Sequence, residues 1–438
     1  MTRIERLTPT DLINLYVESP TSPARVGALV LLDARIELPA LRRRVADRVS
    51  SVARLRQVIS RPRWPGGRPI WVDAPNFDVD RHVRECALPS GERLTDLAVR
   101  LTNQPFPHGQ PLWRMWLVNG LPGEGAALVF AMHHVVADGL TTIRMFTALA
   151  DDHPVLPSPR PQPMPTWPAL VRDNIASRIA ALRTLRRPRI ETWRQMAGLR
   201  HAPRTSLNGP VGARRRLDVV TLDLRRAKTA AHEHGGKVND IVLALAAGGL
   251  RALLRSRTER TDDVRLHATV AVSLPETGAA GEGNRTGGYA MRVPLEPDVR
   301  RRLHQIARES ADAKRRQAPT AGNGLLIALS RLGVLRWFSR RQRMINFVES
   351  NVAGPPMPMR ILGATIRDVI PIGTVVGNMT IGFLALSYAG KLIIAVQADA
   401  DRHPDLPVLL AAMCREADQL AIRAAPEEVR LRVSRSRV

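Results

Sequence analysis

Seven prolines lie within the fifteen residues from Pro154 to Pro168, and no other segment restricts the possible folds as strongly. Proline fixes φ and lacks the backbone N–H group, so this run cannot continue a helix or a central strand and is expected to be extended. The chain has 438 residues, of which 44% are apolar. It is therefore long enough to bury a substantial core on each side of the prolines.

Strand-like and helix-like segments alternate on both sides of this run. On the N-terminal side, residues 111–132 indicate two strands joined by a Gly/Pro turn, and residues 139–152 carry apolar side chains at helical spacing. On the C-terminal side, residues 238–256 predict a strongly apolar helix, with Asn239 and Asp240 as candidate N-caps. This alternation favours an α/β fold in both halves.

We therefore predict two α/β lobes separated by a linker. The N-terminal lobe is placed at residues 1–152, and the proline run with a basic helical region occupies residues 153–205. The C-terminal lobe is placed at residues 206–438, and its last part, residues 345–398, is rich in strand-forming residues.

The longest uncharged run, residues 369–390, is long enough to cross a bilayer. It contains Pro371, Asn378 and four glycines, a composition that favours two buried strands around a turn. The two cysteines, Cys86 and Cys414, cannot form a disulfide framework, and no signal-peptide pattern opens the chain. We expect a cytoplasmic protein without a transmembrane helix.

The segment His133-His134-Val-Val-Ala-Asp138-Gly139 is the strongest candidate for chemistry, and it connects a predicted strand to a predicted helix. A histidine with a pKa of about 6.5 can accept a proton from a hydroxyl near neutral pH, so His134 is the candidate base. Asp138 at a helix start can stabilise the turn, and Gly139 permits a tight bend. A structural core histidine beside a surface histidine remains an open alternative.

Other chemistries lack their sequence signatures. Neighbouring histidines on an extended segment point to opposite faces, and no cluster of Cys or His completes a tetrahedral set, so we predict no metal site. The chain contains neither G-x-S-x-G nor G-x-x-x-x-G-K-[ST]. Serine hydrolases and P-loop nucleotide triphosphatases are therefore not indicated.

Further segments can be read together with HHVVADG; in chain order they are LTPTD from Leu7, Pro111-Leu112-Trp113, TSLNGP from Thr205, GGKVNDIVLALAAGGLRALL from Gly235, Gly283-Asn284, SNVAGP from Ser350 and SYAG from Ser387. In order and spacing this set resembles the bacterial wax ester synthase/acyl-CoA:diacylglycerol acyltransferase family. HHxxxDG alone is shared with a wider superfamily that includes peptide-synthetase condensation domains. The chain departs from the family at Val272-Ser273-Leu274-Pro275, where a common arginine is missing, and at Ala353, where proline is commoner.

The resemblance implies two similar lobes, each a mixed β-sheet flanked by helices, with the active-site tunnel at their interface. It also implies an O-acyltransferase that moves a long-chain acyl group from acyl-CoA to diacylglycerol or a fatty alcohol, giving triacylglycerol or wax ester. Acyl-CoA is then a substrate, and no cofactor or metal is expected.

The resemblance assigns the catalytic residues to the HHxxxDG motif. His134 is expected to take the proton of the acceptor hydroxyl as general base. His133 is expected to point away from the reaction, and Asp138 to orient the loop rather than relay protons.

The resemblance also names residues that bind substrate. Gly139 belongs to the motif, and Asn239 in the opposite lobe is expected either to donate a hydrogen bond near the developing oxyanion or to act as a helix cap. Pro111, Leu112 and Trp113 are expected either to line the acyl tunnel or to form a corner of the core.

Basic residues outnumber acidic residues by 65 to 40, giving a net charge of +25. Residues 172–216 hold twelve basic and two acidic side chains, net +10, and residues 301–343 hold eleven and two, net +9. Within the second window, residues 324–338 suggest a basic amphipathic helix on an anionic membrane or lipid-droplet surface. A core helix with a solvated basic end, or arginines that hold the phosphates of coenzyme A, are the alternatives.

Two other functions remain open. One is a related HHxxxDG condensation enzyme that uses a carrier-protein thioester. The other is a basic nucleic-acid- or membrane-binding paralogue without activity. Single-strand binders interleave aromatic residues among the basic ones, whereas this chain is 4% aromatic, so we expect no nucleic-acid partner.

Overall fold

The computed structural model describes residues 4–49, 51–121, 123–136, 139–153, 164–184, 201–273, 286–315 and 333–424. Within these ranges the strands are β1 Arg25–Leu32, β2 Gln57–Ser60, β3 Ile70–Asp73, β4 Val83–Ala87, β5 Trp113–Asn119, β6 Ala126–His133, β7 Arg215–Asp223, β8 Arg265–Ser273, β9 Thr286–Pro294, β10 Phe347–Ala353, β11 Arg360–Ile361, β12 Ala364–Ile372, β13 Ile381–Tyr388 and β14 Lys391–Asp399. The helices are α1 Pro9–Val17, α2 Leu38–Val49, α3 Val79–His82, α4 Leu94–Thr102, α5 Gly139–Thr147, α6 Trp167–Thr184, α7 Leu224–Glu233, α8 Val238–Ser256, α9 Val299–Arg315, α10 Val334–Ser339 and α11 Leu406–Gln419.

Most of the described strands form two mixed six-stranded sheets. The first has the order β11-β12-β1-β6-β5-β4, and the second has the order β7-β14-β13-β10-β8-β9. In the first sheet β4 and β5 run parallel and the other neighbours run antiparallel, while in the second β10 runs parallel to both β8 and β13. The predicted two-lobe α/β class is confirmed, as is the predicted hairpin, which is the antiparallel pair β5 and β6.

One segment passes from the first sheet to the second. The uncharged run 369–390 does form two strands around a turn, but β12 pairs with β1 in the first sheet and β13 pairs with β10 and β14 in the second. Part of the C-terminal half of the chain therefore completes the N-terminal sheet. The lobe boundaries at residues 152 and 206 stay a prediction. They do not account for β12, which comes from the C-terminal half of the chain but belongs to the first sheet.

Helix α8 has the predicted bounds and lies in the core of the second lobe. Its N-cap is Lys237, so the expectation that Asn239 or Asp240 is the cap is wrong. Asp240 instead occupies the third helical position, where its carboxylate accepts the Lys237 N–H at 2.7 Å. An acidic side chain in the first turn also interacts favourably with the positive end of the helix dipole.

The buried apolar residues of the described ranges form three clusters. One lies within the second lobe, one fills the first lobe and includes Leu386 and Tyr388 of β13, and the third joins α4 and the first sheet to β7 and β14 of the second. The joining cluster comprises Leu29, Leu94, Leu97, Ala98, Val99, Leu101, Trp116, Val118, Ala127, Val129, Ala131, Leu217, Ile370, Ile372, Ile393 and Ala395. Beside it, Arg93 at the start of α4 forms an ion pair with Asp218 of β7, which also pairs with Arg216 at 2.7 Å. Apolar burial and paired charge thus hold the two lobes together.

A buried polar network anchors the start of the second lobe. The Thr380 hydroxyl donates to the Leu207 carbonyl at 2.7 Å and lies 2.7 Å from Nε2 of His403. Arg257 donates to Nδ1 of His403 at 3.1 Å, so the histidine is neutral with its proton on Nε2. Burial, reinforced by the charge of Arg257, lowers the pKa of His403 to about 4. The network fixes the TSLNGP segment against the second sheet.

Parts of the predicted linker and basic regions lie outside the described residues, namely 154–163, 185–200 and 316–332. Helix α6 begins at Trp167, so Pro168, the last proline of the run, lies in its first turn, where a proline is tolerated because that N–H has no helical acceptor. The helix expected across residues 324–338 is not continuous, because Gly333 has a φ of 73° and α10 starts only after it. No helix in the described ranges combines the length and the apolar character that a membrane crossing needs.

We expect Gly248→Ala in α8 to destabilise the protein, because a Cβ there would overlap the carboxylate of Glu416. That carboxylate is held by an ion pair with Arg302, which is fully buried, so it cannot move aside freely. Alanine gains about 1 kcal/mol of helix propensity over glycine, whereas overpacking costs roughly 1–3 kcal/mol. Thermal unfolding should show a lower Tm. The matched control is Gly288→Ala in β9, where a Cβ would meet only ordinary contacts, and an unchanged Tm for Gly248→Ala would contradict this account.

We expect the buried His403 to make folding stability depend on pH. Its pKa is about 4 in the folded protein and about 6.5 when unfolded, so the unfolded state binds the proton first as the pH falls. The contribution of neutral His403 to the free energy of unfolding is fully present above pH 6.5. It is lost as the pH falls from about 6.5 to 4, and the loss is at most about 3 kcal/mol. Denaturant unfolding at several pH values should show that the free energy of unfolding falls less steeply with decreasing pH for His403→Gln than for the wild type. His108→Gln on the surface is the control, and identical slopes for all three proteins would refute the prediction.

Candidate active site

The two histidines of the HHxxxDG motif lie at the end of strand β6. His133 is the last residue of the strand, and its N–H donates to the Leu112 carbonyl at 2.9 Å. The next N–H, that of His134, donates to the Ala24 carbonyl at 2.8 Å. Both positions are therefore fixed by backbone bonds to the residues that immediately precede β5 and β1, and the alternation of extended backbone sends the two side chains in different directions.

The His133 side chain points into the first lobe. It is 4% exposed, its Nδ1 accepts the Val135 N–H at 3.1 Å, and its Nε2 lies 3.1 Å from Oε2 of Glu18. Because Nδ1 acts as an acceptor, the proton is on Nε2, which donates to the carboxylate. Glu18 also pairs with Arg25 at 3.3 Å. Burial raises the pKa of Glu18, but the His133 hydrogen bond and the nearby positive charges outweigh it, so this pKa lies below its ordinary value.

The His134 side chain lines a cavity of about 200 Å³ between the two sheets. The walls come from β1 and β12 of the first sheet, from β8, β10 and β13 of the second, and from α5. They are mostly apolar, and the lining residues are Val26, Gly27, Ala28, His134, Thr142, Ile143, Ala271, Val348, Ser350, Val352, Val369, Pro371, Ile372, Gly373, Thr374, Gly382, Phe383, Leu384, Ala385 and Leu386. An imidazole beside a few hydroxyl groups in an apolar cavity can exchange a proton with the hydroxyl of a substrate that carries alkyl chains.

The segment Pro111-Leu112-Trp113 lies in the core of the first lobe. Trp113 is 1% exposed, donates from Nε1 to the Leu55 carbonyl at 2.7 Å, and stacks on His82 with 4.6 Å between ring centroids. The carbonyl of Leu112 holds the His133 N–H, as described above. None of the three residues is among the described residues that line the cavity, so their contact with substrate stays a prediction. Their observed position corresponds to the core-corner alternative.

Asn239 lies at the start of α8, on the far side of strand β10 from the cavity. Its amide donates to Oε2 of Glu349 at 3.3 Å, and Glu349 is fully buried. Burial, with the nearby charge of Asp240, raises the pKa of Glu349 to about 8, whereas the Asn239 hydrogen bond acts in the opposite direction. This buried acid was not identified from the sequence, because a single Glu in an apolar strand gives no pattern that distinguishes it from an exposed residue.

Asp138 lies outside the described residues, and Gly139 begins helix α5. Sequence reasoning also missed most of the cavity wall, since the residues of β1, β12 and β13 that face His134 have no motif-like spacing. In the part of the chain that the structure describes, no group of three or more His, Cys, Asp or Glu side chains is placed to hold a metal ion.

Comparison with known proteins supports the motif resemblance. A family model described as the wax ester synthase/diacylglycerol acyltransferase catalytic domain matches residues 7–242, and one described as the WS/DGAT C-terminal domain matches residues 282–421. A Mycobacterium tuberculosis protein named as a diacylglycerol O-acyltransferase is 27% identical over 443 aligned residues, which include 92% of this chain and 87% of the relative.

Solved structures share the fold. The wax ester synthase/diacylglycerol acyltransferase from Marinobacter aquaeolei VT8 aligns with a TM-score of 0.68 at 23% identity, covering 95% of this chain and 98% of that chain. The first condensation domain of the CDA synthetase aligns with a TM-score of 0.62 at 16% identity, covering 96% of each chain. The catalytic-domain model covers more than half of the 438 residues, and the C-terminal model covers most of the rest. The chain therefore belongs to the wax ester synthase/diacylglycerol acyltransferase family.

Proposed function

We propose that the protein transfers a long-chain acyl group from acyl-CoA to diacylglycerol or a fatty alcohol, giving triacylglycerol or wax ester and free coenzyme A. The observation that carries this proposal is the position of His134, an imidazole at the wall of an apolar cavity between two lobes. Membership of the family and the naming of its relatives agree with this reaction. Acyl-CoA acts as substrate, and the reaction needs no resident cofactor.

In the proposed mechanism His134 is the general base. It takes the proton of the acceptor hydroxyl as the oxygen attacks the thioester carbonyl carbon and forms the new C–O bond. The tetrahedral intermediate then collapses, the C–S bond breaks, and the coenzyme A sulfur leaves with the proton that His134 had taken. No covalent acyl-enzyme is required. The apolar walls exclude water that would otherwise hydrolyse the thioester.

We assign supporting roles to the other predicted site residues. The contacts of His133 with Val135 and Glu18 favour a positioning role that holds the end of β6. Asp138 is proposed to orient the loop that follows. Asn239 is proposed to shape the α8 end of the second lobe through its contact with Glu349, and direct binding of the oxyanion by Asn239 is the alternative.

A condensation enzyme that uses a carrier-protein thioester is the second candidate. The likeness to the condensation domain supports it at the level of the fold. Release of free coenzyme A from acyl-CoA, in a donor and acceptor panel without any carrier protein, separates the two candidates.

We expect His134→Ala to reduce acyl transfer by roughly 10²- to 10⁴-fold, because a positioned general base typically contributes that much. Its melting temperature should stay close to the wild-type value, since the side chain lines a cavity instead of filling the core. Coenzyme A release with a long-chain acyl-CoA and an alcohol acceptor is the readout. His108→Ala, an exposed histidine, is the control and should keep full activity. Near-wild-type turnover by His134→Ala would show that the proposed mechanism is wrong.

We further propose that the protein acts at the cytoplasmic face of the membrane or on lipid droplets, held by anionic lipid. Helix α10 exposes Trp337 by 58% and Phe338 by 41%, and Arg341 lies over the Trp337 ring at 5.1 Å. The neighbouring Arg336 and Arg340 are also exposed. Aromatic side chains at a lipid interface beside arginines are a common arrangement for peripheral attachment, and the acceptor and product are insoluble in water.

We expect co-sedimentation with anionic vesicles at low salt that weakens as salt screens the charges, with less binding to neutral vesicles. Each basic side chain near an anionic surface contributes about 1 kcal/mol, so Arg340→Ala combined with Arg341→Ala should weaken binding roughly tenfold or more. Arg225→Ala combined with Arg226→Ala, which removes two exposed arginines of α7, is the matched control. Equal binding to neutral and anionic vesicles, or no binding at low salt, would refute the electrostatic attachment.

A further inference from the structure

A small apolar side pocket continues the main cavity into the first lobe. Its volume is about 30 Å³, and its lining residues are Ala28, Phe130, Thr142, Ile143, Phe146, Pro355, Met359, Val369, Leu386 and Tyr388. Five of them, Ala28, Thr142, Ile143, Val369 and Leu386, also line the main cavity that contains His134. The two spaces therefore meet where these five small or branched side chains lie.

The lining residues that the side pocket does not share with the main cavity form its end wall, and they include side chains from three separate elements. Phe146 comes from α5 and is 6% exposed, Met359 precedes β11, and Tyr388 ends β13 and is 1% exposed. The Tyr388 hydroxyl accepts the Met359 N–H at 2.8 Å and donates to the Ile366 carbonyl at 3.1 Å. Tyr388 of the second sheet is thus tied to the backbone of β12 and of the residue before β11 on the side of the first sheet, so the end wall is not easily displaced.

The chemistry of the side pocket suits an alkyl group and does not suit water. A buried water needs two to four polar partners, whereas the Tyr388 hydroxyl already holds two backbone partners and the Thr142 hydroxyl donates to the Met132 sulfur at 3.5 Å. A volume of about 10–15 Å³ admits one water-sized group, so about 30 Å³ has room for one or two methylene groups. Alkyl carbons would gain dispersion contacts with the walls and leave water.

We propose that this side pocket receives the terminal methylenes of the substrate alkyl chain, and that Phe146 and Ala28 determine how long that chain can be. Phe146 is placed to limit the depth of the pocket, and Ala28 is placed to keep its entrance open. This inference rests on the proposed function, because it takes the main cavity to be the place where the reacting end of the chain lies. The chain belongs either to the acyl donor or to the alcohol acceptor, and the experiment separates the two.

The test uses variants that act in opposite directions. Phe146→Leu removes volume from the end wall and should lengthen the preferred chain by one or two methylenes. Ala28→Val adds bulk at the entrance and should shorten it. Phe77→Leu is the matched control, because Phe77 packs on the core of the same lobe near His82 and Trp113 and is not among the described residues lining either space.

Binding is measured by calorimetry with two series of unreactive probes, S-alkyl-coenzyme A thioethers and linear alcohols, each varied one methylene at a time. If the variants change the preferred chain length only in the thioether series, the donor chain lies in the pocket. If they change it only in the alcohol series, the acceptor chain lies there. At the length limit, each methylene should change Kd by roughly tenfold. Coenzyme A release with matching acyl-CoA chains is followed in parallel.

The proposal is supported if the preferred chain length becomes longer for Phe146→Leu, shorter for Ala28→Val, and stays unchanged for Phe77→Leu. Length profiles that match the control in both probe series would overturn it, as would a wild-type protein that binds neither series. Loss of the proposed function looks different, since the wild type would then bind the probes but release no coenzyme A with any donor and acceptor. The calorimetric binding measurements therefore test the side-pocket proposal even when no coenzyme A is released.

Discussion

The antiparallel pairing of β12 with β1 is the interaction on which the active site depends. It inserts a strand from the C-terminal half of the chain into the N-terminal sheet, from the pair Gly27–Ile372 to the pair Leu32–Ile366. The chain then passes directly into β13 of the second sheet, through a connection in which the Gly373 N–H donates to Gln397 at 2.9 Å. Because one continuous segment belongs to both sheets, it supplies walls on both sides of the cavity, Val369 and Pro371 from β12 and Leu384 from β13. A proton-transferring side chain needs such a frame, since small displacements of a reacting group strongly reduce the rate.

The two histidines of the motif show how environment separates roles for identical side chains. His133 has both ring nitrogens engaged inside the first lobe, whereas His134 lies at the cavity wall. The difference follows from strand geometry, because successive side chains leave a strand on opposite sides. The same division appears on β10, where Val348 and Ser350 line the cavity while Glu349 between them is buried among the helices of the second lobe. Strand β10 therefore contributes one face to the cavity and one face to the core of the second lobe.

Much of the local structure could be predicted from the sequence. The bounds of α8, the hairpin of β5 and β6, and the position of HHVVADG between a strand and a helix follow from hydrophobic periodicity and turn residues, which act over a few residues. The N-cap of α8 was misplaced by two or three positions, because Asn239 and Asp240 have the side chains of good caps while the backbone geometry selects Lys237. The HHxxxDG residues were identified through their motif. The apolar cavity wall was not, because Val26, Pro371 and Leu384 are ordinary strand residues.

Periodicity, turn chemistry and motif spacing were sufficient for the α/β class, the number of lobes and the candidate base His134. The tertiary structure decided that β12 joins the first sheet and β13 the second, although a single uncharged run of sequence contains both. It also decided that Trp113 packs in the core and that Glu349 is buried beside Asn239. The physical reason is that a hydrophobic pattern specifies which face of an element is buried, whereas the partner that buries it is selected by packing between residues hundreds of positions apart.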